Sequence, residues 1–76
     1  MTPSLNEMWG PFRVRLWIDP HVPAEDTLWR VEVHEGGVRL LRGKSPHRAA
    51  LAAGTSAALE VLAVKRGLRL KPWRVD

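Results

Sequence analysis

The sequence predicts an α+β fold: a single domain with a mainly antiparallel four-stranded sheet and one long helix packed on one face, in the order β-β-β-α-β. Apolar and polar residues alternate in FRVRLWI (12–18) and in WRVEVHE (29–35), which is typical of strands with one buried face. An alanine-rich stretch over 46–66 has its larger apolar residues at helical spacing. With 76 residues, the chain is long enough for one small hydrophobic core.

The glycine pair predicts a tight turn that joins two of the strands in a hairpin, with a two-residue loop at either Glu35-Gly36 or Gly36-Gly37. The alternation then places Val38 and Leu40 on the core face with Val33, and Arg39 and Leu41 on the opposite face. The preceding stretch DPHVPAED (19–26) contains two prolines and three acidic residues. It is therefore expected to form a loop between the first two predicted strands.

The stretch RGKSPH (42–47) has the glycine, lysine and serine of a phosphate-binding loop. Such a loop needs a further glycine where this chain has Val38, and residues 38–42 alternate as a strand. We expect Ser45 to be the helix N-cap instead, with Pro46 at the first helical position and Gly67 ending the helix. One side of this helix is predicted to lie on the sheet (Leu51, Gly54, Ala58, Val61, Leu62), while the far side is small and weakly polar (Ala49, Ala52, Ser56, Glu60, Ala63).

The two ends of the chain are predicted to differ. Residues 1–11, with Pro3, Gly10 and Pro11, show no periodicity and are expected to form a partly mobile lead-in to a domain over 12–76. The C-terminal stretch LRLKPWRV (68–75) is expected to be the last strand. It should lie at a sheet edge, because Pro72 has no N–H to donate to a neighbouring strand.

The charge of the chain is unevenly distributed. The net charge is +4, and residues 37–76 contain nine Lys and Arg against only Glu60 and Asp76. Arginine forms planar paired contacts with phosphates and carboxylates, so this distribution indicates an anionic partner.

The outward positions of the predicted strands gather arginines around one tryptophan. A sheet face of this kind can bind phosphates through the guanidinium groups and stack bases on the indole ring. We therefore predict a non-enzymatic module that binds nucleic acid or a nucleoprotein assembly through Arg13, Arg15, Trp17, Arg30, Arg39, Arg69 and Lys71. The start of the helix, with its free amides, is predicted as an additional anion site formed by Lys44, His47 and Arg48.

Two alternatives remain at this point. An uncovered sheet face is polar in any case, and arginine is one way to make it so. The same face could also bind a protein, and the chain would then be an inhibitor or adaptor with Trp9 or Trp17 as the anchor residue. This alternative includes a phage-encoded protein and a homodimer.

Catalysis is not expected. The chain has no Cys or Tyr, and its Ser and Thr residues are scattered. No cofactor or metal is predicted, because His21, His34 and His47 lack ligand spacing and Asp19, Glu25 and Asp26 are expected to be solvated in one loop. Neither a signal peptide nor a membrane-spanning run is recognisable, which predicts a cytoplasmic protein, or one of the host cytoplasm if it is phage-encoded.

Two resemblances accompany this interpretation. The segment from Trp29 to Leu62, with Ser45, Ala49 and Ala53 in the helix, resembles the C-terminal half of double-stranded-RNA-binding domains. It has Pro46, His47 and Ala50 where that family has phosphate-gripping lysines, so no binding residue carries over. The stretches WRVEVHEGG and SPHRAALAAGTSAALEVL are similar to small phage and bacterial β-β-α-β proteins, some anti-CRISPR proteins among them. This second resemblance implies an inhibitor of nucleoprotein machinery.

Overall fold

Among the residues that the structure describes, four consecutive strands form one antiparallel sheet in the order β1-β2-β3-β4, and a single helix follows them. This arrangement is seen in a computed structural model that describes residues 4–74. The elements are β1 (Leu5–Trp9), β2 (Phe12–Ile18), a short 3₁₀ turn (Ala24–Asp26), β3 (Trp29–Glu35), β4 (Val38–Ser45) and α1 (Arg48–Lys65). The predicted α+β class with a four-stranded antiparallel sheet is confirmed. The predicted order is wrong, because all four strands precede the helix.

The core lies between one face of the sheet and α1. Alternate residues of β2 and β3 are buried there, as the sequence pattern predicts: Phe12, Val14, Leu16, Trp29, Val31 and Val33. From the helix, Leu59 is fully buried among them. Burying a side chain of this size contributes about 1.5 to 3 kcal/mol, so this small cluster supplies most of the driving force for folding.

The strand β1 lies in the segment for which the sequence predicts no regular structure. Its register pairs Leu5 with Leu16 and Trp9 with Phe12, which places Leu5, Glu7 and Trp9 on the core side. Because Glu7 lies between Leu5 and Trp9 in this row, apolar and polar residues do not alternate along β1 and the sequence pattern does not indicate a strand. The turn into β2 uses Gly10 with a φ of 58°, a conformation that glycine adopts without strain.

Residues 68–74 form no strand, so the predicted last strand is wrong over this range, and Val75 lies outside the described residues. We call residues 68–74 the C-terminal segment. It is held beside β1 by side chains: Trp9 Nε1 donates to the carbonyl of Lys71 at 2.7 Å, and Trp73 Nε1 donates to Glu7 Oε1 at 2.7 Å. The buried ring of Trp73 completes the core at this side.

The helix starts later than the sequence predicts. Ser45 is the last residue of β4, and its hydroxyl accepts a hydrogen bond from the backbone N–H of His47 at 3.0 Å. The N-cap position is His47, which makes no side-chain capping bond, so the prediction of Ser45 as N-cap is wrong. The predicted C-terminal end of the helix is close to the observed one. Gly67, with φ 67°, follows the helix, and the N–H of Leu68 donates to the carbonyl of Ala63.

The buried side of α1 is rotated relative to the prediction. Thr55, Leu59 and Ala63 are its buried residues, whereas Val61 is 55% exposed. The reason is the C-terminal segment, which covers the side of the helix expected to be free: Ser56 Oγ donates to the carbonyl of Trp73 at 2.9 Å. Within residues 4–74, no helix combines the length and apolar character needed to cross a bilayer.

Candidate nucleic-acid interface

The sheet surface opposite α1 carries most of the charged residues that the strands contribute. The register places Arg15 beside Glu32, Arg13 beside His34 and Trp17 beside Arg30. It likewise places Arg42 on the other side of Glu32 and Lys44 on the other side of Arg30. We call this surface the outer face: Arg13, Arg15, Trp17, Arg30, Glu32, His34, Arg39, Arg42 and Lys44, with Asn6 and Met8 of β1 at its border.

A bulge in β4 brings Arg42 and Lys44 to the outer face. His34 pairs with Arg39 and Val33 pairs with Leu41, so Leu40 has no partner and the alternation shifts by one residue. The prediction that Leu41 points outward is therefore wrong, since it packs against the core. The adjacent apolar residues Leu40-Leu41 break the period of two, and this was the sequence signal for the bulge.

Glu32 is the acidic residue at the centre of the outer face. Its carboxylate lies 3.0 Å from His34 Nε2 and 3.6 Å from Arg39 Nη1. The hydrogen bond with His34 lowers the pKa of Glu32 below its ordinary value. The carboxylate is therefore ionised at neutral pH, and it offsets the charge of Arg39 in particular.

Arg30 is held by a buried carboxylate from the loop that follows β2. Asp19 is only 6% exposed, and its Oδ2 accepts a 2.6 Å hydrogen bond from Arg30 Nε. Its Oδ1 accepts a second one from the backbone N–H of His21 at 2.8 Å. These bonds, that of Arg30 above all, lower the pKa of Asp19. Asp19 is thus not a solvated loop residue as the sequence suggests, whereas Glu25 and Asp26 are exposed.

Four basic side chains of the outer face make no ion pair within residues 4–74: Arg13, Arg15, Arg42 and Lys44. Arg13 donates to the amide oxygen of Asn6 at 2.9 Å, which leaves its charge uncompensated. The outer face therefore has a clear excess of positive charge even after the pairs with Asp19 and Glu32 are taken into account.

Trp17 is the aromatic residue of this surface. The guanidinium carbon of Arg15 lies 4.5 Å from the centre of its ring, so the sheet supplies a cation–π pair rather than a bare indole. Beside the ring is a shallow depression of about 340 Å³, lined also by Arg30, Glu32, Arg42 and Lys44. A planar group entering it would meet the indole, a carboxylate acceptor and three cationic donors.

Arg69 and Lys71 do not join the outer face, and their predicted placement there is wrong. They belong to the C-terminal segment, which is not part of the sheet. The carbonyl of Lys71 accepts from Trp9, a residue on the core side of β1. Arg69 lines a shallow surface with Trp9, Glu60 and Leu68.

The residues predicted to bind an anion at the helix start are also separated. Lys44 is on the outer face, opposite Arg30. Arg48 lies on the core side, with its guanidinium carbon 5.4 Å from the ring centre of Trp29. The structure therefore does not bring Lys44 and Arg48 together around the first helical amides, and His47 is exposed.

Among the described residues, no three His, Asp or Glu side chains come close enough to hold a metal ion. Comparison with known proteins gives no match: no family model, no curated protein and no solved structure is significantly similar to this chain. The resemblances to double-stranded-RNA-binding domains and to small phage proteins therefore stay predictions.

Proposed function

We propose that this protein is a non-enzymatic module that binds nucleic acid, free or in a nucleoprotein assembly, through the outer face of its sheet. The observation that carries the proposal is the group of basic side chains without a carboxylate partner among residues 4–74: Arg13, Arg15, Arg42 and Lys44. Like charges gathered on one small surface repel each other, and a polyanion removes this repulsion.

The layout of the outer face suits a single strand. Neighbouring strands of a sheet lie about 5 Å apart and alternate residues of one strand about 7 Å apart, so β2 and β4 carry two rows of basic groups on either side of β3. The rows can contact phosphates, while Glu32 between them can accept from an exocyclic amino group of a base. The Arg15–Trp17 pair offers a stacking surface, which paired bases in a duplex cannot reach.

The experiment is a titration of the protein with labelled single-stranded and duplex oligonucleotides at two salt concentrations. We expect tighter binding of the single strand and a steep loss of affinity with salt, because each neutralised phosphate releases condensed counterions. The double variant Arg13→Glu, Arg42→Glu should bind far more weakly. The matched control is Arg69→Glu, Arg74→Glu, which changes the net charge equally but lies off the outer face.

Two results would contradict the proposal. Absence of binding even at low salt would exclude nucleic acid as the partner. Equal weakening by the two double variants would show that the net charge of the molecule, and not the outer face, attracts the oligonucleotide.

A protein-binding inhibitor or adaptor is the second candidate, as the resemblance to small phage proteins implies. The observation in its favour is exposed apolar surface on α1, where Val61 is 55% and Val64 77% exposed. This candidate predicts little nucleic-acid binding near physiological salt. It also predicts a protein partner, or a second copy of the chain, whose binding is lost in Val64→Asp.

A further inference from the structure

The last strand of the sheet has one open side. Among the described residues, β4 has only β3 as a strand neighbour, although it is the longest strand with 8 residues. The other edge of the sheet, at β1, lies beside the C-terminal segment through the bond from Trp9 to Lys71. Backbone N–H and C=O groups on the outer side of an edge strand are a template for a further strand.

A shallow apolar groove runs between β4 and α1. Its volume is about 420 Å³, and its lining includes Leu41, Gly43, Ala50, Gly54 and Ala58. Among residues 4–74, a Cβ atom at Gly54 would meet nothing within 4 Å apart from its chain neighbours and the backbone of α1, so the side of the helix that borders the groove leaves open space. Side chains from an added strand could enter here.

The other side of β4 is basic, since Arg39, Arg42 and Lys44 belong to the outer face. Successive side chains of a strand point to opposite faces, so a strand added along β4 would place one set in the groove and the other set beside these cations. We propose that the open edge of β4 binds an extended peptide segment of a partner protein in which apolar and acidic residues alternate. This inference does not rest on nucleic-acid binding.

A second copy of the chain fits this edge poorly in the two registers centred on Arg42 and Gly43. In a two-fold antiparallel pairing centred on Arg42, that arginine would face its own copy. In a pairing centred on Gly43, Arg42 would face Lys44 of the other copy. Like charges directly opposite each other destabilise a pair of strands, and an acidic partner turns the same contacts into attraction.

The test uses the full chain and two labelled, capped peptides of identical composition. One alternates Glu and Val over the length of β4; the other has all its Glu residues before all its Val residues. We expect saturable binding of the alternating peptide, with the block peptide weaker by about tenfold or more. Amide hydrogen exchange of β4 should slow only with the alternating peptide, because its backbone would pair with that strand.

Matched variants locate the binding. Gly54→Leu fills the groove and should abolish binding, whereas Ala57→Leu adds the same side chain on an exposed helix position outside the groove and should leave it unchanged. Arg42→Glu should weaken binding of the peptide that alternates Glu and Val, and it should favour binding of a peptide that alternates Lys and Val. Equal binding of the two Glu peptides, or binding that persists in Gly54→Leu, would overturn the proposal. A dimer in sedimentation that Gly54→Leu dissociates would show that a second copy occupies the edge, which would overturn it as well.

Discussion

The indole N–H of Trp73 donates a 2.7 Å hydrogen bond to the carboxylate of Glu7, 66 positions earlier in the chain. The carbonyl of the same residue accepts from Ser56 on α1 at 2.9 Å, and the residue is 3% exposed. Trp73 therefore connects the first strand, the helix and the end of the described chain. Since α1 packs against β3 and β4, the C-terminal segment supplies the cover beside β1.

Removing this ring should be costly. Trp73→Ala is expected to lower the free energy of unfolding by about 3 to 5 kcal/mol, because a buried aromatic side chain is replaced by a cavity. Trp73→Phe keeps an aromatic ring but loses the donor to Glu7, so it should lower the free energy of unfolding by a smaller amount. The lost hydrogen bond should account for about 1 kcal/mol of that change. Urea unfolding of both variants, and of Glu7→Gln alone and with Trp73→Phe, would separate these contributions. Full stability in Trp73→Ala would contradict the role assigned to the C-terminal segment.

Two glycines in open surroundings should respond to alanine with opposite signs. Within the described residues, a Cβ at Gly54 or at Gly36 would meet nothing within 4 Å apart from its chain neighbours and, at Gly54, the backbone of α1. Gly36 has a φ of 55°, whereas Gly54 lies within the helix. Gly54→Ala should raise the free energy of unfolding by about 0.5 to 1 kcal/mol, because alanine is the better helix former. Gly36→Ala should lower it by about 1 to 2 kcal/mol, because its Cβ is strained at positive φ. A loss of stability in Gly54→Ala would mean that the helix is packed closely at this position.

The strands β2 and β3 could be predicted because their buried and exposed residues alternate without interruption. The strand β1 could not, since Glu7 occupies a core-side position that only its bond from Trp73 explains. The orientation of α1 could not be predicted either, because it depends on where the C-terminal segment lies. The sequence does not show that the C-terminal segment lies against Ser56. The pattern alone therefore favours the side of the helix with the larger apolar residues as the core side.

The candidate site could be predicted in part. Arg13, Arg15, Trp17, Arg30 and Arg39 lie on the outer face, where the alternation places them. Arg42 and Lys44 were missed there because the bulge at Leu40 shifts the period. The ion pairs that neutralise part of the outer face could not be predicted. Asp19, for example, comes from a loop whose path the sequence does not define.

The Asp19–Arg30 pair should make stability depend on pH. The pKa of Asp19 is lowered in the folded protein, mainly by the hydrogen bond from Arg30. Its contribution is therefore fully present above the unfolded-state value of about 4, and it is lost as the pH falls through the lower folded-state value. Urea unfolding from neutral pH downward should show a steeper acid loss for the natural protein than for Asp19→Asn. Glu25→Gln, which alters an exposed carboxylate of the same loop, should keep the steep loss.

The last prediction separates stacking from charge on the outer face. Trp17→Ala should weaken single-strand binding by about 1 to 3 kcal/mol, because a base loses its stacking surface, while the dependence of log affinity on log salt stays unchanged. Arg13→Gln should reduce that slope by about 0.7, since one phosphate contact is lost. Arg15→Gln should show both effects, because its guanidinium lies over the Trp17 ring and makes no ion pair within residues 4–74. Fluorescence titrations at a series of salt concentrations measure both quantities, with thermal unfolding as the check that each variant is folded. A changed slope in Trp17→Ala, or an unchanged one in Arg13→Gln, would contradict this division of roles.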